Sequence, residues 1–183
     1  MKLSDSEKTE ILTLARKVIE AEFSNSSKLE ISPNLQKRVE ENAGIFVTLK
    51  EGNKMRGRGG DIEQNSFGIA LISAAKEAAF NDHRFNPLNK DELNKIKIEI
   101  NIFENPVEVS SQDVLNKIKL GKTGVVIKSG AYSSVILPQD ATEEKWTKEE
   151  LLENSCIKAG LLPDAWKDST TIIYLFDGEV ISE

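Results

Sequence analysis

The sequence contains few of the residues that form disulfides and metal sites. Its 183 residues include one cysteine, Cys156, and one histidine, His83. One cysteine cannot form an intramolecular disulfide, which is typical of proteins from a reducing compartment, so we expect a cytoplasmic protein. One histidine cannot build a histidine-rich zinc site, and there is no cysteine cluster for iron–sulfur binding. We therefore expect neither a metal nor a cofactor.

Long apolar runs and an excess of positive charge are also missing. No segment approaches the roughly 20 apolar residues that a membrane-spanning helix requires, and the acidic start of the chain is unlike a secretory signal. The formal net charge is −6, and aromatic residues make up 6% of the chain. Nucleic-acid binding draws on basic surfaces and on aromatic rings that stack with bases. We therefore expect no membrane partner, and nucleic acid is an unfavoured partner.

Residues 44–60 predict a β-hairpin with an unusual second strand. The first strand is rich in β-branched and aromatic residues, and Gly52 with Asn53 is a two-residue turn signal. The return strand contains Arg56 and Arg58, each followed by a glycine. Glycine weakens a strand and marks a bulge or a close approach to the backbone, and residues two apart share a face. The pattern predicts two guanidinium groups that bind a carboxylate or phosphate, with a charged edge strand as the alternative.

The remaining periodicity predicts helices and strands in both halves of the chain. Helical spacing of apolar residues, with capping residues at Ser4 and Thr147, predicts helices at residues 4–23, 67–80 and 147–160. Alternation or short apolar runs predict strands at residues 96–103, 125–127, 132–137 and 170–176. The segment 67–80 is apolar almost all round, so we expect it to be the most buried helix.

Each half of the chain reads as hairpin, helix and strand, and the final strands of the two halves contain related residues. This similarity favours an ancient duplication, with two ββαβ units sharing one sheet, over a chance likeness. We expect a single domain over residues 1–183. It would have a helical segment at 1–43, a first repeat at about 44–110 and a second at about 121–183.

Several motifs occur in order between about residue 44 and residue 183, namely GIFVTLK, MRGRGG, DHRFNPL, LGKTGVVI, LPQ and TKEELLENSCIKAGLLPDAW. Together they resemble the AMME chromosomal region candidate (AMMECR) family, whose microbial members are called AmmeMemoRadiSam system protein A. The resemblance implies an α+β fold in which two ββαβ-like repeats share one barrel-like, mainly antiparallel sheet with helices packed outside. It also implies Memo-type and radical-SAM partners, because family members are encoded beside such proteins.

The hairpin departs from the family pattern at two positions. The family usually has Leu-Arg-Gly-Cys-Ile-Gly, whereas this chain has Met-Arg-Gly-Arg-Gly-Gly at residues 55–60. Arg58 replaces the cysteine, and Gly59 replaces the isoleucine. Either this member has lost an activity that used the thiol, or the role of the motif never depended on a thiol.

The loop that follows the apolar helix adds candidate site residues. Asp82 could pair with Arg56 or with Arg84, and we favour Arg56 because the helix returns the loop towards the hairpin. His83 could transfer protons, but an exposed loop position is the simpler interpretation. Cys156 lies on an apolar helix face, which predicts a buried, inert thiol. The candidate ligand-binding residues are Arg56, Gly57, Arg58, Gly60, Asp82, His83 and Arg84.

These residues favour a binding or adaptor protein that recognises an anionic small molecule or a protein partner through the Arg56 and Arg58 hairpin. The first alternative is an enzyme or enzyme subunit that acts on a small metabolite with the Memo-type and radical-SAM partners. In that case Asp82 or His83 would transfer protons. The second alternative is an RNA-binding module. The sequence assigns no catalytic residue and leaves the question of enzymatic activity open.

Overall fold

The computed structural model describes residues 3–24, 30–103 and 105–183. The chain forms two compact units. Unit 1 contains Met1–Glu104 and Glu179–Glu183, and unit 2 contains Asn105–Gly178. The expected single domain with its repeat boundaries stays a prediction.

Unit 1 is built around an antiparallel sheet. Its elements are α1 (Asp5–Ala21), a 3₁₀ turn (Arg38–Glu40), β1 (Asn42–Glu51), β2 (Lys54–Ser66), α2 (Phe67–Lys76), a π-helical turn (Glu77–Asn81), a second 3₁₀ turn (Lys90–Glu92) and β3 (Ile96–Phe103). Strand β1 lies between β2 and β3, and both pairings are antiparallel. The predicted hairpin is confirmed, and Gly52 supplies its turn with a left-handed backbone, φ 60°.

Helix α1 begins where the sequence predicts. The side chain of Ser4 accepts a hydrogen bond from the N–H of Glu7, and the Glu7 carboxylate accepts one from the N–H of Ser4. This capping box satisfies N–H groups that the first turn leaves unpaired. The residues that α1 buries recur at helical spacing and are Ile11, Leu14, Ala15, Val18 and Ile19.

Helix α2 is shorter than the predicted segment 67–80. It ends at Lys76, and the chain continues as the π-helical turn, which keeps Ala78 and Ala79 buried. Phe67 and Leu71 lie in the core, but Ile69 is 67% exposed, so the helix is not buried all round. A π-helical turn widens the backbone locally, and no hydrophobic pattern distinguishes it from regular helix.

The sheet of unit 1 has an apolar face and a partly polar face. The apolar face belongs to the same core as α1 and α2, and contributes Ile45, Val47, Leu49, Ile98 and Ile100. Strand β3 is confirmed, but its second face is not simply solvent-exposed. Asn101 and Phe103 on that face are both buried.

Unit 2 contains β4 (Val107–Val109), α3 (Val114–Lys117), β5 (Thr123–Ser129), β6 (Tyr132–Ile136), α4 (Pro138–Glu143), α5 (Lys148–Lys158), a 3₁₀ turn (Ala165–Lys167) and most of β7 (Ile172–Ser182). Strand β5 pairs with β6 and β7, and β4 pairs with β7, all antiparallel. The predicted end of the last strand near Phe176 is wrong. Strand β7 passes through Asp177 and Gly178 without turning, and its final residues complete unit 1.

Helix α5 follows its sequence signals. The side chain of Thr147 accepts a hydrogen bond from the N–H of Glu150, and Gly160 ends the helix with a left-handed backbone, φ 80°. Cys156 is fully buried in the core of unit 2, as predicted. Burial raises the pKa of the Cys156 thiol, so the unreactive protonated form predominates at neutral pH.

The predicted α+β class with a mainly antiparallel sheet is confirmed by these pairings. The order hairpin, helix, strand occurs as β1-β2-α2-β3 and again as β5-β6-α5-β7. A common origin of the two halves by duplication stays a prediction. Across the described ranges, no helix combines the length and the apolar character needed to cross a membrane.

Candidate functional site

The glycines of β2 pack against the π-helical turn. A Cβ atom on Gly57 would lie 2.1 Å from the carbonyl oxygen of Ala78, and one on Gly59 would lie 2.5 Å from the backbone nitrogen of Ala78. Gly60 has a φ of 129°, which other residues rarely adopt. The sequence correctly indicated a close approach to this backbone. The approaching group is part of the protein itself.

Two carboxylates bind N–H groups of β2, the outer strand of its sheet. Asp82 accepts a hydrogen bond of 2.8 Å from the N–H of Arg58, and Glu77 accepts one of 2.8 Å from the N–H of Gly60. Unpaired N–H groups on an outer strand invite pairing with another chain. Asp82 and Glu77 therefore protect this edge.

Asp82 is fully engaged as a hydrogen-bond acceptor. It also binds the N–H of Arg84 at 3.1 Å and the guanidinium of Arg84 at 2.9 and 2.7 Å. The Arg84 guanidinium holds the pKa of Asp82 well below its usual range, although burial acts in the opposite direction. An ionised carboxylate with four such bonds is a poor proton acceptor. The favoured pairing of Asp82 with Arg56 is wrong, and the alternative pairing with Arg84 is correct.

Arg56 is held by a different acid. Its guanidinium binds both carboxylate oxygens of Glu92, at 2.6 and 3.0 Å, and lies 6.0 Å from the ring centre of Phe85. The hydrogen bonds from Arg56 lower the pKa of Glu92. The pairing of β1 with β2 shifts register between Leu49 and Lys50, which interrupts the side-chain alternation near Arg56. The two arginines therefore contact different groups, contrary to the expectation that they face one ligand together.

The remaining predicted residues lie in the loop after the π-helical turn. His83 is exposed, and the side chain of Arg84 is 42% exposed although it binds Asp82. Within residues 3–24, 30–103 and 105–183, no group of three or more His, Cys, Asp or Glu side chains is placed to hold a metal ion. The contacts of this loop stabilise the hairpin.

A second set of side chains lies on the partly polar face of the unit 1 sheet. Nε of Arg58 donates a hydrogen bond of 3.0 Å to Oγ1 of Thr48, which is 0% exposed. Lys50 and Glu99 form a half-buried ion pair of 3.0 Å. We call this side of the sheet the Thr48 face, and its residues are Phe46, Thr48, Lys50, Arg58, Glu99, Asn101 and Phe103.

Asn101 is a buried polar residue of the Thr48 face that has no partner. It is 1% exposed, and neither Nδ2 nor Oδ1 has a hydrogen-bond partner. It lies opposite Phe46 across β1 and β3, and the rings of Phe46 and Phe103 stack with centres 6.0 Å apart. Leaving such an amide unpaired costs about 1–3 kcal/mol. The sequence gives no signal for the burial of Asn101, because an asparagine at a polar position of an alternating strand is typical of a solvent-exposed face.

An open cleft of about 430 Å³ lies beside α1 and the end of β7, within unit 1. The cations that line it are Arg16 and Lys17. Arg16 binds the side chain of Glu183 at 2.6 and 2.5 Å, and donates to the carbonyl oxygens of Leu93 and Ile96. These bonds fasten the end of the chain to α1. The role of Arg16 in this cleft is therefore structural.

A family model described as AMMECR1 matches residues 12–181 of the chain. The chain belongs to the AMMECR1 family. It is 37% identical to Protein NEQ441 of Nanoarchaeum equitans, across 93% of this chain and 97% of that relative. It is 34% identical to Protein PF1979 of Pyrococcus furiosus, across 94% of this chain and 86% of that relative. The resemblance inferred from the motifs is thereby confirmed.

A solved structure of the uncharacterized protein PH0010 from Pyrococcus horikoshii matches this AMMECR1 family member with a TM-score of 0.90 and 30% sequence identity. The match covers 100% of this chain and 94% of that one. The names of these relatives specify no substrate or partner.

Proposed function

We propose that this AMMECR1 family member is a binding protein for a small anionic molecule, which lies on the Thr48 face with its anionic group at Arg58. The supporting observation is the buried, unpaired amide of Asn101. Buried polar groups in folded proteins are nearly always paired. Natural proteins tend to keep such a destabilising residue at functional sites.

The charges of the Thr48 face suit an anion. Lys50 and Arg58 are cationic and Glu99 is anionic, so this face carries more positive than negative charge in a chain whose net charge is −6. A guanidinium group matches the geometry of carboxylates and phosphates. Because Arg58 stands where the family motif has cysteine, the preference for an anion is proposed for this chain and not for the whole family.

The geometry supports binding more than acid–base catalysis. The enzyme hypothesis relied on Asp82 or His83 for proton transfer, but Asp82 is ionised and engaged by Arg58 and Arg84. His83 is exposed in the loop and stays an untested candidate. The Memo-type and radical-SAM partners, and the cytoplasmic location, also stay predictions from the sequence.

Titration of the ¹⁵N-labelled protein with benzoate, and separately with inorganic phosphate, tests this proposal by NMR. We expect at least one of the anions to shift the amide signals of Phe46, Thr48 and Asn101 in a saturable way. Arg58→Gln should weaken that binding about tenfold or more, because it removes a charged hydrogen-bond donor. Lys54→Gln is the matched control, since it makes the same charge change at an exposed position of β2.

Two outcomes would overturn the proposal. One is the absence of saturable shifts on the Thr48 face with both anions. The other is equal loss of binding in Arg58→Gln and Lys54→Gln, which would indicate a general effect of charge and not a site at Arg58.

A further inference from the structure

We infer that the ligand also carries a neutral edge with a hydrogen-bond donor beside an acceptor, as in a cyclic amide or a nucleobase, and that Asn101 recognises this edge. The inference rests on the proposed function and names the ligand class of the same site. It identifies Asn101 as a residue that determines specificity, whereas Arg58 selects for charge.

The side chain of Asn101 can donate and accept hydrogen bonds at the same time. Nδ2 offers two donors and Oδ1 is an acceptor, and both atoms are unpaired and buried. An anionic group alone could accept from Nδ2, but it would leave Oδ1 without a donor. A ligand edge that contains both an N–H and a C=O satisfies both atoms at once. The bidentate pairing of asparagine with an adenine edge has the same logic.

Thr48 adds a donor next to Asn101. The hydrogen bond from Arg58 uses a lone pair of the Thr48 hydroxyl, so that bond does not use the O–H hydrogen. Thr48 lies opposite Glu99, two residues before Asn101 on β3, which makes Thr48 and Asn101 diagonal neighbours on one face. Such neighbours are about 7–8 Å apart. Thr48, which Arg58 contacts, and Asn101 are therefore separated by about the width of one small ring.

Two aromatic side chains lie beside Asn101 on the Thr48 face. Phe46 is directly opposite Asn101, and Phe103 follows Asn101 by two residues on the same face. Their rings are stacked at an interplanar angle of 15°, and both residues are buried. A flat, apolar flank of this kind suits a planar ring. The ligand class is thus a small heterocyclic acid that combines a planar ring, an amide-type edge and one anionic group.

Three small molecules separate the contribution of the anionic group to binding affinity from that of the hydrogen-bonding edge. Orotate carries a carboxylate and a cyclic amide edge, benzoate carries only the carboxylate, and uracil carries only the amide edge. In NMR titrations of the wild-type protein we expect orotate to bind about tenfold tighter than either of the others, as for a bidentate asparagine contact. Orotate should also shift the side-chain NH₂ signals of Asn101.

Asn101→Leu then tests the residue itself. The variant should lose most of the preference for orotate over benzoate, while Asn94→Leu, at an exposed position before β3, should keep it. The wild-type titration decides the question even if Asn101→Leu folds poorly.

Each failure has a distinct meaning. If benzoate binds at Arg58 and orotate binds no tighter, the inference is overturned and the proposed function stands. If the Asn101→Leu variant keeps the preference for orotate, the inference is also overturned, because Asn101 then holds only an ordered water. If none of the three probes nor phosphate binds on the Thr48 face, the proposed function fails and the inference fails with it.

Discussion

Arg56 and Arg58 are two residues apart on one strand, yet their side chains have different surroundings. Arg56 is neutralised by both oxygens of Glu92, so its charge serves to fasten the hairpin to the second 3₁₀ turn. Arg58 reaches the buried hydroxyl of Thr48 on the sheet face that also holds Asn101. The register shift beside Lys50 separates the two arginines, and a residue pattern alone does not reveal such a shift.

Asn101→Leu should increase the stability of the unliganded protein. Leucine has a similar size and removes the cost of a buried amide without partners, so we expect the free energy of unfolding to rise by about 1–3 kcal/mol in urea titrations. Asn94→Leu, at an exposed position, should change it by less than about 0.5 kcal/mol. A loss of stability in Asn101→Leu would mean that a buried water satisfies the amide and that Asn101 is structural.

At the scale of secondary-structure elements, β2 and the π-helical turn pack directly against each other. Glycines on β2 allow the backbone of Ala78 to approach, and this approach brings the carboxylates of Glu77 and Asp82 to the N–H groups of β2. The glycine-rich motif therefore shapes and protects an outer strand. These contacts explain most of the motif without a ligand, and Arg58 is the residue of the motif on which the proposed function rests.

Gly59→Ala should destabilise the protein, although the family motif carries an isoleucine at this position. A Cβ atom on Gly59 would lie 2.5 Å from the nitrogen of Ala78 and 2.6 Å from the carbonyl oxygen of Ala74, and backbone atoms cannot move aside easily. Overpacking of this kind costs about 1–3 kcal/mol, to be measured by urea unfolding. Lys54→Ala, exposed on the same strand, is the control. If Gly59→Ala leaves the free energy of unfolding unchanged or raises it, the π-helical turn can shift to accommodate a larger residue at this position.

Elements whose determinants are local could be predicted from the sequence. The caps at Ser4 and Thr147, the turn at Gly52 and the position of strand β3 were all predicted correctly. Features that depend on contacts with distant segments of the chain could not be predicted from the sequence. The π-helical turn depends on packing against β2, the full length of β7 depends on its neighbours in the sheet, and the burial of Asn101 depends on tertiary packing. The candidate site was therefore only half predictable, with Arg58 recognised and Asn101 missed.

At the scale of the whole molecule, helix α1 and the last residues of the chain contact each other within unit 1. Lys8 of α1 pairs with Glu179 at 2.8 Å, and Arg16 binds Glu183 through two hydrogen bonds. The N–H of Glu183 also donates to the carbonyl oxygen of Ile98 on β3. These contacts join residues more than 80 positions apart, which explains why no local pattern indicated them. The N-terminal helix is therefore an integral part of unit 1.

The attachment of α1 should make folding stability depend on acid pH through Glu7. The hydrogen bond from Arg38, followed by those from Ser4, lowers the pKa of Glu7 from 4.5 to about 2. Because the folded state lowers this pKa, the stabilisation is complete above pH 4.5 and is lost as the pH falls towards 2.

Glu7→Gln keeps a capping box with Ser4 but removes the carboxylate partner of Arg38. We expect the free energy of unfolding of the wild-type protein to exceed that of Glu7→Gln by about 1 kcal/mol at neutral pH. That difference should shrink between pH 4.5 and pH 2, as measured by urea unfolding at several pH values. Arg38→Gln should reduce the pH dependence of the free energy of unfolding over the same range, since it removes the other partner of the ion pair. A difference between wild type and Glu7→Gln that stays constant down to pH 2 would show that this ion pair does not couple α1 to the stability of the fold.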